Sequence, residues 1–287
     1  MGRIAYVNGR FVPHAQAMVH IEDRGYQLAD AVYEVWSLFD GRLADAEGHF
    51  ARLERSLAEL RIAMPMSRRA LTLVLREAIR RNRVRDGLLY LQVSRGAAPR
   101  DHAFPGNDVR PAVVITARSL DRTAVEAKAA KGVAVVTTPE NRWGRCDIKT
   151  VGLLPNVLAK QKAKEAGAAE AWFVDELGFV TEGAASNAWI VDADGRLRTR
   201  DTNANILRGI TRRTLMDVIA REGLEVDERP FTPAEAVAAR EAFITGAGAL
   251  VLPVVAVDGK TIGNGSPGPL AMRLRRLYIE GARAGAV

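Results

Sequence analysis

Cysteine is almost absent: the 287-residue chain has one, Cys146. A single thiol excludes an internal disulfide and any metal site built from several cysteines. Histidine is scarce as well, with four scattered along the chain, so no resident metal is expected. Aromatic residues make up 6% of the sequence, and none of the basic stretches interleaves with them. The formal charge of +7 therefore does not read as a nucleic-acid surface. Long apolar runs are missing too. The longest, Ala249 to Val257, is interrupted by Pro253 and falls well short of the roughly 20 residues a membrane-spanning helix needs. No basic-then-apolar leader opens the sequence, so a cytoplasmic protein away from any membrane is expected. Internal repeats and low-complexity tracts are absent.

The sequence does have enough length for two domains and enough apolar residues, 48%, to bury a sizeable core. Two strand signals, Ile4 to Val7 and Arg10 to Val12, flank an Asn8-Gly9 turn. Leu28 to Phe39 reads as a strand ending at Asp40-Gly41. A helical stripe follows from Gly48 to Ala63, with Phe50, Leu53, Leu57 and Leu60 on one side. A second helix is expected from an N-cap at Ser67 to Asn82. Leu88 to Val93 and Ala112 to Thr116 read as strands around a Gly/Pro-containing loop, Arg95 to Val109. Ser119 to Ala124 is short and polar, which suggests an interdomain linker at 119–124. It separates a small α/β domain, 1–118, from a larger one, 125–287, that carries Lys149. The second half opens on a strand at Val133 to Thr138. It adds helices at Leu154 to Ala166, Gly209 to Glu222, Pro233 to Ala239 and Pro269 to Ala282. Further strands fall at Ala171 to Val174, Ala188 to Val191, Ala242 to Thr245 and Leu250 to Val257. The class is mixed α/β (α+β).

Lysine is the other scarce residue. Seven of the 41 basic residues are lysine, and Lys149 lies alone in Cys146-Asp147-Ile148-Lys149-Thr150-Val151-Gly152. An ion-paired or snorkelling lysine fits this segment. So does a reactive amine, because unlike arginine a lysine can deprotonate and form a Schiff base. Downstream stand Val180-Thr181-Glu182-Gly183-Ala184-Ala185-Ser186-Asn187-Ala188-Trp189 and Ile206-Leu207-Arg208-Gly209-Ile210-Thr211-Arg212. In that order, with Glu22-Asp23-Arg24-Gly25-Tyr26 before them and Asp258-Gly259-Lys260 after, these motifs resemble the fold-type IV aminotransferases almost end to end. Within that family the chain is most similar to the D-amino acid transaminases.

The resemblance implies pyridoxal 5'-phosphate in the cleft between two domains, bound to Lys149, which would also move the substrate proton. It makes Glu182 the partner of the ring nitrogen, Arg52 a phosphate ligand, Arg142 a neighbour of the ring hydroxyl, and Leu207 a residue packed under the ring. Taken alone, Glu182 reads as a turn residue beside Gly183 and Arg52 as a solvated helix residue. Gly209, Ile210 and Thr211 open a predicted helix, whose free amides suit a phosphate. Gly246 and Ala247 stand where relatives often carry hydroxyl residues, so phosphate contacts there are expected from backbone amides or from fewer groups. Ala184 and Ala185 likewise replace serines. Arg100 and His102 resemble the substrate-carboxylate trap of D-amino acid transaminases, completed by Tyr33, with Val35 lining the pocket. On the sequence alone they also fit polar decoration of a mobile loop. Cys146 reads as a small buried group with no partner base.

The function implied is transfer of the amino group of a D-amino acid such as D-alanine to 2-oxoglutarate, giving a 2-oxo acid and D-glutamate. The enzyme would work as a homodimer, with the loop around Arg100 reaching the partner's site. The same scaffold also carries R-selective amine transaminases, branched-chain L-amino acid aminotransferases and, more distantly, aminodeoxychorismate lyase.

Overall fold

A computed structural model describes residues 2–202 and 205–287. The chain forms two compact units. The first takes the residues up to Asp121 together with Ile148–Gly152 and Gly285–Val287, and the second takes Arg122–Asp147 and Leu153–Ala284. The architecture is mixed α/β, with one sheet in each unit.

The first unit contains β1 (Ile4–Val7), β2 (Arg10–Pro13), α1 (Arg24–Leu28), β3 (Ala31–Phe39), β4 (Arg42–Leu43), α2 (Ala46–Glu59), α3 (Arg68–Asn82), β5 (Gly87–Ser94) and β6 (Ala112–Ser119). Its six strands run in the order β2-β1-β6-β5-β3-β4, and every pairing is antiparallel. Strand alternation divides β3 into two faces. Val32, Trp36 and Leu38 are buried in one core cluster with Phe50, Leu53 and Leu57 of α2 and Leu71 and Leu75 of α3. Tyr33 and Val35 point to the other face and are only half-buried. Glu34 breaks the pattern, because it is a fully buried carboxylate on the apolar face.

The second unit begins with α4 (Arg122–Lys131), β7 (Val133–Pro139), α5 (Leu154–Glu165), β8 (Glu170–Val174), β9 (Val180–Gly183), β10 (Asn187–Val191) and β11 (Leu197–Thr199). It continues with α6 (Ile210–Arg221), β12 (Val226–Glu228), α7 (Pro233–Ala238), β13 (Glu241–Gly246), β14 (Leu250–Val257), β15 (Lys260–Thr261) and α8 (Pro269–Ala284). Its sheet has the order β12-β11-β10-β13-β14-β7-β8-β9, with β15 paired to β14. The core gathers Val133, Val135, Trp172, Val180, Ile190, Phe231 and Val254.

Three expectations from the sequence need correction. The strand expected from Leu28 begins instead at Ala31, because Asp23 caps a short helix by accepting the N–H of Gly25 and the chain reverses at Ala29, φ 56°. The expected linker is mostly structured: β6 runs on to Ser119 and α4 begins at Arg122. Lys149 belongs by its contacts to the first unit rather than the second. Tyr33 N donates to Lys149 O at 3.0 Å and Val151 N to Ala31 O at 3.1 Å, so the lysine segment lies along the start of β3.

Candidate active site

In the first unit the lysine segment is fixed by backbone, which leaves its amine as the variable part. Besides the bond from Tyr33, Lys149 N donates to Ser56 Oγ of α2 at 3.4 Å. The Lys149 amine lies 4.2 Å from the centre of the Tyr33 ring, within cation–π distance. Tyr33 in turn stacks on Tyr90 of β5, with ring centres 5.7 Å apart. Burial, with the nearby Tyr33, pushes the Tyr90 phenol up to about 12. Tyr90 therefore stays protonated and donates to Gln92 Oε1 at 2.8 Å.

Arg52 sits one turn before Ser56 on α2 and is buried rather than solvated. It grips Glu34 with two parallel bonds, Nε to Oε1 at 2.8 Å and Nη2 to Oε2 at 2.8 Å. His49 Nδ1 lies 2.6 Å from the same Oε2. Burial alone would raise the Glu34 carboxyl, but Arg52 and His49 hold it down to about 2. Burial lowers His49 and outweighs the carboxylate beside it. A neutral imidazole thus donates its Nδ1–H to an acceptor-only carboxylate. Neither Glu34 nor His49 is assigned a role by the sequence. The signal for Glu34 was a charged residue at an inward position of an alternating strand.

Arg100 and His102 are exposed on the loop after β5. The base of that loop is pinned: Arg24 N donates to Gly96 O at 2.9 Å and Ala98 N to Glu22 O at 3.3 Å. Gly96 has φ +109°, and a Cβ there would lie 2.2 Å from Arg110 O, so the turn needs glycine.

In the second unit Glu182 is a strand residue of β9, not a turn residue, and its side chain is 5% exposed. Its carboxylate accepts from Asn187 Nδ2 at 3.0 Å, from Leu207 N at 3.1 Å and from Arg142 Nη1. Arg142 is also held by Glu140, through Nε to Oε1 at 2.9 Å and Nη2 to Oε2 at 2.6 Å. Burial favours protonation of Glu140, yet Arg142 and Thr181 lower it. Asn187, an unassigned residue, also donates to Leu207 O at 3.0 Å. It thereby ties together Glu182, Leu207 and the start of α6.

Gly209 is the N-cap of α6 and makes no side-chain cap bond, so the first amides of the helix are left for another acceptor. A Cβ at Gly209 would lie 2.0 Å from Asn187 Oδ1. Ile210 and Thr211 follow as buried first-turn residues. The departure at Gly246 has a packing cause: a Cβ there would meet Ala185 O at 3.0 Å. The adjacent hydroxyl of Thr245 accepts from Trp189 Nε1 at 3.0 Å. Cys146 is half-buried and donates to Trp143 O at 3.1 Å. Burial pushes its thiol up to about 11, which leaves it un-ionised at neutral pH. Among the described residues, no cluster of three or more His, Cys, Asp or Glu could hold a metal, and no helix is long and apolar enough to cross a membrane.

The amino-transferase class IV family matches residues 31–257. The chain is 42% identical over 268 residues to a D-alanine aminotransferase of Bacillus licheniformis, covering 93% of each chain. It is 37% identical over 279 residues to a D-alanine aminotransferase of Staphylococcus haemolyticus, covering 96% of this chain and 97% of that one. Among solved structures, a branched-chain amino acid aminotransferase from T.th., with pyridoxamine 5'-phosphate, superposes with a TM-score of 0.89 at 28% identity, covering 99% of this chain and 95% of that one. The chain belongs to the class IV aminotransferases, the pyridoxal-phosphate-dependent transaminases of fold type IV.

Proposed function

We propose that the protein is a D-amino acid aminotransferase that moves the amino group of D-alanine or a similar D-amino acid to 2-oxoglutarate. The observation that carries this reading is the 42% identity with a D-alanine aminotransferase over 93% of the chain, together with Arg100 and His102 on their pinned loop. Arginine offers a planar two-pronged donor that suits an α-carboxylate, and histidine adds another.

The residues present fit the family's cofactor. The uncapped start of α6 is a ready anion site, Glu182 is a buried carboxylate already oriented by Asn187 and Leu207, and Lys149 supplies a primary amine. Gly209, Ile210 and Thr211, with Arg52 and the backbone of Gly246 and Ala247, would hold the phosphate. Arg142 would stand by the ring hydroxyl, and Leu207 would pack under the ring. When bound, pyridoxal phosphate would supply a carbonyl that reacts with amines and an electron-withdrawing ring that stabilises charge at the substrate Cα.

The chain's own contribution is positional and protonic. Arg100, His102 and Tyr33 bind the substrate carboxylate, and Val35 lines the space beside it. Lys149 takes the Cα proton and returns it. Glu182 would face the ring nitrogen, where a carboxylate keeps a proton on it. Tyr33 holds the Lys149 amine against its ring, on the face of β3 turned away from the core.

The reading extends to a cytoplasmic homodimer in which the Arg100 loop serves the partner's site. Leu154, Val157 and Leu158 support an association surface: they are 69%, 58% and 59% exposed and share one stripe of α5. Branched-chain L-substrates are the second reading, favoured by the 0.89 TM-score with a branched-chain enzyme. The test is amino transfer to 2-oxoglutarate by the purified holoenzyme, with D-alanine, L-leucine or an R-configured arylamine as donor. Pyruvate and D-glutamate from D-alanine alone support the proposal. Turnover of L-leucine or the arylamine in place of D-alanine overturns it.

A further inference from the structure

We infer that Arg24 is a positioning residue for carboxylate recognition: it holds the backbone at Asp101 and His102 so that the Arg100 and His102 side chains are presented from a fixed frame. The inference rests on the proposed reading of Arg100 and His102.

Arg24 is buried, with 3% of its surface exposed, although it sits at the start of a five-residue helix where an exposed arginine would suffice. Each part of its guanidinium has a use. Nε donates to Asp30 Oδ2 at 2.8 Å, Nη1 to Asp101 O at 2.6 Å, and Nη2 reaches His102 O at 3.5 Å. The two carbonyls flank His102, and the first belongs to Asp101, the residue between the trap side chains. Asp30 is shared with Arg95, whose Nε and Nη2 reach Oδ2 at 2.7 Å and Oδ1 at 2.9 Å. Arg95 also donates to Leu60 O at 2.7 Å and Arg61 O at 3.0 Å, which anchors the cluster to the end of α2.

The far side of the loop is held separately. Phe104 lies with its ring centre 3.7 Å from the Arg95 guanidinium carbon and 4.8 Å from that of Arg61. Asp101 Oδ1 accepts from Ala103 N at 3.2 Å and closes a tight turn. The excursion from Arg95 to Arg110 is thus fixed at its base, its middle and its far side, while Arg100 and His102 stay exposed. A flexible loop would lose entropy each time it ordered two donors around a carboxylate, whereas a fixed one does not. Lysine cannot replace Arg24, because the site uses a planar fork with one edge on a carboxylate and the other on two carbonyls.

The experiment is steady-state kinetics of the holoenzyme with D-alanine and 2-oxoglutarate for R24Q, R24K, R100A and the double variant R24Q/R100A. The cofactor absorption band and Tm are recorded for each. The expected result is a KM for D-alanine raised by about 10- to 100-fold in R24Q, with kcat and the cofactor band kept. The double variant should lose less than the product of the two single effects, because residues acting through one another are not additive. An unchanged KM in R24Q, or effects of R24Q and R100A that multiply, overturns the inference. If R24Q does not fold, R24K decides: it keeps the charge beside Asp30 but cannot span both carbonyls, so an unchanged KM in R24K overturns it equally. R100A separates the two layers. If R100A leaves KM unchanged, the carboxylate trap itself is wrong and the inference falls with it; a raised KM in R100A alone removes only Arg24.

Discussion

At the scale of single residues, Lys149 is distinguished by what surrounds its amine. Its backbone is tied through its carbonyl to the start of β3 and through its N–H to Ser56 of α2, and its amine rests over the Tyr33 ring. A structural cation would satisfy that geometry whichever basic residue supplied it. A proton-transferring amine would not, because a guanidinium stays protonated at any workable pH. Lys149→Arg should therefore keep the fold and the contact with Tyr33 and still lose about 10²- to 10⁴-fold in kcat for D-alanine transamination. Initial rates together with Tm measure both halves. A variant that remained active would return Lys149 to the class of ion-paired lysines that its local sequence also allows. Cys146, three residues away, shows the opposite case. Its raised thiol has a carbonyl partner and no base, so proximity to the lysine gives it no chemistry.

The elements show how backbone placement substitutes for side-chain chemistry. The start of α6 carries no side-chain cap, and Gly209 leaves only enough room for Asn187 Oδ1. Asn187 in turn orients Glu182 and Leu207. Gly209→Ala puts a methyl group 2.0 Å from that oxygen. It should destabilise the protein by about 1–3 kcal/mol and weaken cofactor binding together with the environment of Glu182. Thermal unfolding and cofactor titration read the two effects, and an unshifted cofactor affinity would separate α6 from the phosphate. The helices with apolar stripes or caps, α2, α3 and α6, were legible because pattern and punctuation agree there. α4 was not, because it buries only Ala129 and so carries no stripe. The strands β4, β11, β12 and β15 are two or three residues long, too short for alternation to register. Lys149, Glu182 and the Gly209 turn were readable as motifs. Their supporting residues were not, since Glu34 meets Arg52 18 positions away, Asn187 meets Leu207 20 away and Arg24 meets Asp101 77 away, pairings that a local pattern does not display.

For the whole molecule, association and acid stability follow from where apolar and ionisable groups lie. If α5 forms part of a dimer surface, Leu158→Glu introduces a charge into a desolvated patch. Sedimentation should then show monomers, with D-alanine turnover lost alongside because the Arg100 loop no longer reaches a partner. A dimer that persisted would move the interface elsewhere. Acid stability depends on a different group, the fully buried Glu34. Its carboxyl is held at about 2 against an ordinary value of 4.5, so the folded state binds its proton less readily than the unfolded chain. The stabilisation is therefore fully present above pH 4.5 and is lost as pH falls from there through about 2. It amounts to about 3 kcal/mol for a shift of this size. His49 is lowered by burial, so it acts in the same direction at a higher pH, since the unfolded chain takes up that proton first. Denaturant midpoints measured from neutral pH downward should consequently decline in two stages. Glu34→Gln removes the lower stage while leaving Arg52 buried without its counter-charge, at a cost of about 3–5 kcal/mol near neutral pH. A Glu34→Gln variant whose midpoint still fell as steeply between pH 4.5 and 2 would assign the acid sensitivity to other carboxylates, and the Glu34–Arg52 pair would then be a fixed structural feature without a titrating role.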